Sequence, residues 1–202
     1  MRLRRGRVAT LPDVSPLLSE PSRAALLVVD VQRGLDDTDH WGRRNNPACE
    51  DNIAALIERW RAAGRPVVFI RHDSVEDGSP LAPGLPGNAF KDVVTGDPDL
   101  LVRKEVNSAF YGTPDLHAWL QQQRIDEVVI CGITTNQCCE TTARMAGNLG
   151  YRTLFALDAT HAFDRADLDG GVIPAEEIAR VTAANLEGEF ATVVSTATLV
   201  RA

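Results

Sequence analysis

The chain has 202 residues, 44% of them apolar, and a formal net charge of -7. Length and composition supply one domain with a full core, and the acidic balance argues against nucleic acid or an anionic membrane surface as a partner. No apolar run is long enough to span a membrane. The basic cluster Arg2, Arg4, Arg5 and Arg7 is not followed by the apolar stretch of a signal peptide. The four cysteines, Cys49, Cys131, Cys138 and Cys139, form neither a CxxC pair nor a zinc spacing, so a reducing cytoplasm is the expected location.

Taken in order, residues 1–22 read as an irregular, proline-punctuated extension, and 23–202 as a single domain. A wholly apolar run over 24–29 predicts a buried strand that ends at Asp30. The polar loop 31–45 follows, carrying Leu35, His40, Trp41, Arg43 and Arg44. Asn46-Pro47 reads as a helix start with the asparagine as cap, and Ile53, Leu56, Ile57 and Trp60 fall on one helical face. Pro66 to Ile70 predicts a second strand, with Arg71, His72 and Asp73 at its carboxyl end.

The Pro- and Gly-rich stretch 76–98 is long for a loop within a compact domain, which marks it as a lid or a subunit contact. A short strand over 100–102 leads to Lys104, and Thr113-Pro114 reads as the start of a helix reaching about Gln123. The run 128–130 predicts a central strand, broken at Gly132 and followed by a helix that Thr134, Thr135 or Asn136 would cap. A further strand over 152–157, a loop from Asp158 to Asp164 carrying His161, a helix over 175–186 and a last strand over 191–195 complete the chain. Strands alternating with helices predict an α/β fold: three α/β/α layers around a mostly parallel, Rossmann-like sheet of about six strands.

Cys138 would then sit in the first turn of a helix, just beyond the carboxyl end of a central strand. There the unpaired N–H groups and helix dipole lower a thiol's pKa and stabilise an oxyanion. That context alone serves a nucleophile and a buried small hydrophobe equally. Asp30 and Lys104 also end apolar strands. If the strands are neighbours, a carboxylate, an ammonium and a thiol emerge into one crevice.

The segments Leu26–Gln32, Arg103–Phe110 and Gly132–Ala143 resemble, in content and order, the isochorismatase-like cysteine hydrolases, the superfamily of nicotinamidase and N-carbamoylsarcosine amidase. The resemblance implies a triad of Asp30, Lys104 and Cys138. In it Asp30 takes the thiol proton, while Lys104 lowers the thiol pKa and holds Asp30. It also implies a cis peptide at Ile133–Thr134 and an oxyanion hole made by the N–H groups of Thr134 and Cys138. The activity implied is hydrolysis of a C–N bond in a small amide, lactam or carbamoyl compound through a thioester on Cys138; a streptothricin-type lactam hydrolase is one narrower form.

Hydrolysis of a vinyl ether, as in isochorismatases proper, and a non-catalytic binding role are the alternatives; a redox pair Cys138–Cys139 would require a strained disulfide. Nicotinamidases of the superfamily hold a metal through an Asp-x-His pair and another histidine. Here His40 and His72 lie near the expected regions without that spacing, so neither a metal nor another cofactor is expected. Leu35, Trp41, Asn107, Phe110, Tyr111 and Gln137 are the candidate pocket residues, and a homodimer or homotetramer is the assembly the resemblance implies.

Overall fold

A computed structural model describes residues 23–201; the extension 1–22, with its arginine cluster, lies outside the described residues. Strands β1 (Ala25–Val29), β2 (Val67–His72), β3 (Leu100–Lys104), β4 (Glu127–Ile133) and β5 (Arg152–His161) are separated by helices, except that the long loop alone joins β2 to β3. The helices are α1 (Thr38–Trp41), α2 (Cys49–Ala62), α3 (Leu116–Gln122), α4 (Glu140–Asn148), α5 (Ala175–Leu186) and α6 (Thr196–Arg201). A short antiparallel pair, β6 (Arg165–Ala166) and β7 (Val172–Ile173), stands apart, and β8 (Thr192–Val194) closes the main sheet.

The main sheet has six strands, all parallel, in the order β3-β2-β1-β4-β5-β8. Because strand side chains alternate between faces, β1 sends Leu26 and Val28 to one core and Ala25, Leu27 and Val29 to the other. The first core is covered by Ile53, Leu56, Ile57 and Trp60 of α2 and by Leu199 of α6. The second is covered by Leu116 and Leu120 of α3, Ala143 and Ala146 of α4, and Leu186 of α5. Burial on both faces is the physical reason β1 reads as an unbroken apolar run.

The chain leaves β1 outward to β2 and β3, then crosses back to pair β4 with the free side of β1. The strand order therefore reverses between β1 and β4, and a crevice opens at their carboxyl ends. Gly132 lies inside β4, opposite Val29. Its φ is +131°, and a Cβ there would come within 2.0 Å of the Val29 carbonyl oxygen. The glycine thus lets β4 pass close to β1 and continue to Ile133, where the sequence suggested a break.

Other boundaries shift for local reasons. Asn46 is not a cap: it has a φ of +47°, and its amide donates to the carbonyls of Asp158 and Thr160. Asp115, accepting from the Ala118 N–H, starts α3 in place of Thr113-Pro114. β5 runs on to His161 because the polar Asp158, which suggested a loop, has its carboxylate bonded to the N–H and hydroxyl of Thr196 at the start of α6. No helix among the described residues is long and apolar enough to cross a membrane.

Candidate active site

Asp30 is the first residue past β1, buried, with a φ of +50°. A carboxylate residue held in the left-handed region at a strand end is the kind of outlier that marks a functional position. Its N–H bonds to the Ile70 carbonyl and its own carbonyl accepts from the Gln32 N–H, which fixes the turn. Lys104 ends β3, one strand further out than β2. Two inter-strand spacings amount to roughly 10 Å, a gap that the lysine stem and the Asp30 carboxylate close from its two sides. Its Nζ lies 2.6 Å from Asp30 Oδ2, 3.4 Å from Cys138 Sγ and 3.1 Å from His72 Nδ1.

Those three neighbours match the three donors of an ammonium. His72 must then accept at Nδ1 and carry its proton on Nε2. Burial first, and the Lys104 charge second, hold its pKa below the ordinary value, which keeps it neutral. The sequence pointed to His72 only as a residue near a metal region. Its register opposite Lys104 in the β2–β3 pair is what brings it into the cluster. Gln32 fixes that end of β2, accepting from the His72 N–H at 2.8 Å and donating to the His72 carbonyl at 3.0 Å.

Cys138 lies in a π-helical turn, Thr135–Cys139, that runs directly into α4. Thr134, one of the cap candidates in the sequence, stands at its cap position without a side-chain capping bond. The Ile133–Thr134 peptide bond preceding it is cis. Burial raises the Cys138 pKa and the Asp30 charge raises it further, outweighing the opposing pull of Lys104. The resting sulfur is therefore a thiol, contrary to the lowered pKa expected from the helix terminus and lysine. Its S–H points to Asn107 Oδ1 at 3.5 Å. Burial alone would lower the Lys104 pKa, yet the Asp30 carboxylate raises it, so the lysine stays charged. Among the described residues, Asp30 Oδ1 is buried without a hydrogen-bond partner.

The cluster opens into a cavity of about 380 Å³. Leu35, Trp41, Asn107, Thr134 and Gln137 line it together with Asp30 and Cys138. Trp41 is held by a 2.8 Å bond to the Gly34 carbonyl and by stacking on Phe163. Phe110 and Tyr111 do not line it: Phe110 stacks on Tyr151, and Tyr111 is exposed beside a separate surface hollow. The long loop 76–98 folds back as a cavity wall, contributing Ser79 and Leu81. Gly34 and Gly87 allow its close approach; a Cβ on Gly87 would meet the Pro80 carbonyl at 2.3 Å.

Arg43 and Arg44, candidates for an acidic substrate group, are engaged elsewhere. Arg43 pairs with Asp164 and Glu176, and Arg44 with Glu50. The ligand atoms of Asp30, His72 and Cys138 lie within 4.8 Å of one another, a spacing that could hold a metal ion. The Lys104 ammonium already bonds to all three, however, so the set does not fit a second cation. His40 packs edge-on against Trp41, outside this group. All four cysteines are free, and Cys139 is fully buried.

His161 ends β5, buried opposite Ile133 and packed edge-on to Phe163. Burial, followed by the charges of Arg44 and Lys91, pushes its pKa from 6.5 down to about 3. Between those values the unfolded chain binds a proton that the folded chain does not. Stability therefore falls as pH drops below 6.5, by about 1.4 kcal/mol per pH unit from this group. Urea unfolding of a His161→Phe variant should show a shallower loss between pH 6 and pH 4.5 than the parent chain.

The carboxyl-end crevice and its three polar strand ends now stand beside known proteins. The model of the isochorismatase domain matches residues 24–197. The chain belongs to the isochorismatase family. It is 41% identical to the isochorismatase family protein YrdC of Bacillus subtilis (strain 168), over 88% of this chain and 95% of that one. It is 34% identical to nicotinamidase 3 of Arabidopsis thaliana, over 85% and 84% of the two chains. An isochorismatase-family structure from Chromobacterium violaceum ATCC 12472 superposes with a TM-score of 0.85 at 40% identity, covering 91% of this chain and 94% of that one. The chain is thus an isochorismatase-family hydrolase on a six-stranded parallel sheet.

Proposed function

We propose that this family member hydrolyses a C–N bond of a small amide, lactam or carbamoyl compound through a thioester on Cys138. One observation carries the reading: a single buried ammonium, Lys104 Nζ, bonds both Asp30 and the Cys138 sulfur at the floor of a cavity. A thiol, a base and a fixed positive charge at hydrogen-bond range are the parts of nucleophilic catalysis. The identity to a nicotinamidase agrees with amide chemistry.

The resting protonation sets the order of steps. Asp30 Oδ1, buried and unpartnered, receives the Cys138 proton as the sulfur attacks the substrate carbonyl carbon. Lys104 stays bonded to Asp30 and balances the charge that moves onto sulfur. The N–H groups of Thr134 and Cys138 stabilise the carbonyl oxygen as it becomes an anion. Collapse breaks the C–N bond, and the departing nitrogen takes the proton from Asp30. Water then attacks the thioester and gives its proton to Asp30. When the C–S bond breaks, the carboxylic acid leaves and the proton returns to sulfur.

A panel of primary amides, lactams and carbamoyl compounds, assayed for release of ammonia or amine, tests the reading. At least one compound should be turned over with accumulation of its acid. Turnover confined to vinyl ethers would overturn it.

A further inference from the structure

The cavity above Cys138 carries charge of one sign only. Its charged lining residues are Asp30, Glu76 and Glu105, and among the described residues no lysine or arginine side chain lines it. The Lys104 ammonium is bonded to Asp30 below the floor, Arg103 lines a separate hollow, and His72 is held neutral by burial. Neither Glu76 nor Glu105 makes an ion pair among the described residues, unlike Asp36, Glu50 and Asp73. Each glutamate is next to an exposed valine, Val75 or Val106, that also lines the cavity. At the floor, Asp30 Oδ1 is an unpartnered acceptor on a side chain almost wholly buried.

Together these features describe a ligand. It places a polar, proton-donating head against Asp30 and Cys138, crosses an apolar stretch, and ends in a positive charge at the mouth. We infer that the site is selective for amides whose far end carries an ammonium or guanidinium group, with Glu76 and Glu105 as the specificity-determining residues. This inference rests on the amide-hydrolase reading of the same site. Anionic substrates are repelled by the same two carboxylates, and the net charge of -7 concentrates cations around the chain.

Charge selectivity can be read at the thiol without any substrate turnover. Three methanethiosulfonates are compared: the cationic trimethylammonioethyl, the anionic sulfonatoethyl and, as a small neutral reference, the methyl reagent. Their rates of labelling Cys138, followed by peptide mass spectrometry, are each divided by the rate with N-acetylcysteine. The cationic reagent should exceed the anionic one by about tenfold at low ionic strength, as expected for two exposed carboxylates. In the double variant Glu76→Gln/Glu105→Gln the ratio should fall toward unity. Asp126→Asn, which removes a charge at the opposite end of the sheet, should leave it near the parent value.

A parent ratio near unity, or a ratio that survives in the double variant, overturns the inference. The same proteins are then assayed with 6-aminohexanamide, hexanamide and the monoamide of adipic acid. Faster hydrolysis of the cationic amide than of the other two, lost in the double variant, supports the inference; an equal or reversed preference overturns it. If no amide is hydrolysed, the amide-hydrolase reading fails, while the labelling ratio still decides the charge preference.

Discussion

Cys138→Ala is expected to lose hydrolytic activity by roughly four orders of magnitude or more, the scale seen when a covalent nucleophile is removed. The fold should be untouched. Cys138 is only partly buried at the cavity floor; it packs at the edge of the second core, and its loss deletes a single sulfur whose hydrogen-bond partners are polar groups of the site. Circular dichroism and the urea midpoint should match the parent chain within about 1 kcal/mol. Cys138→Ser keeps a hydroxyl at the position but should be nearly as inactive, since a serine would hand its proton to the same Asp30 from a much less acidic group. Activity surviving in Cys138→Ala would move the nucleophile elsewhere.

Lys104→Met tests the other half of the cluster, and here stability moves as well as rate. The side chain is wholly buried and pairs with Asp30 at 2.6 Å. Removing one partner of such a pair leaves an uncompensated buried charge, at a cost of about 3–5 kcal/mol in urea unfolding. The Lys104 pKa is raised above 10.5 in the folded chain. The contribution of its charge is therefore complete below 10.5 and is lost only as pH rises through the folded value. The deficit of Lys104→Met should accordingly be constant from pH 6 to pH 9.

A double variant separates the two roles. Asp30→Asn/Lys104→Met removes both charges, and should recover much of the lost stability. It should nonetheless remain inactive, because neither base nor counter-charge is left. Recovery of activity along with stability would assign Asp30 and Lys104 alike a purely structural role.

The catalytic candidates were legible for a reason that the sheet makes plain. Asp30 and Lys104 each end an apolar strand, and Cys138 follows one closely, so in a parallel sheet all three had to surface at the same end. The alternation of β1 between two cores is written in its sequence as an unbroken apolar run. What was hidden depends on register and contact. His72 joins the cluster only through its pairing opposite Lys104. Phe110 has the composition of a pocket wall, yet it sits on a short turn that faces Tyr151.

The thiol's resting state was equally out of reach. A helix terminus and a lysine predicted a lowered pKa, but burial and the Asp30 charge set the opposite direction. Gly132 has the local pattern of a strand breaker, although its positive φ is what allows β4 to extend beside β1. In both cases the decisive quantity is a distance between segments far apart in the chain, which local pattern does not encode.

Acid quenching during turnover of an amide, followed by intact-mass and peptide-mass measurement, tests the covalent role of Cys138 most directly. The expected result is an acyl group, of the mass of the substrate acid less water, on the peptide containing Cys138 and absent from Cys138→Ala. Steady turnover with no such adduct, and with hydroxylamine failing to divert product to the hydroxamate, would contradict it.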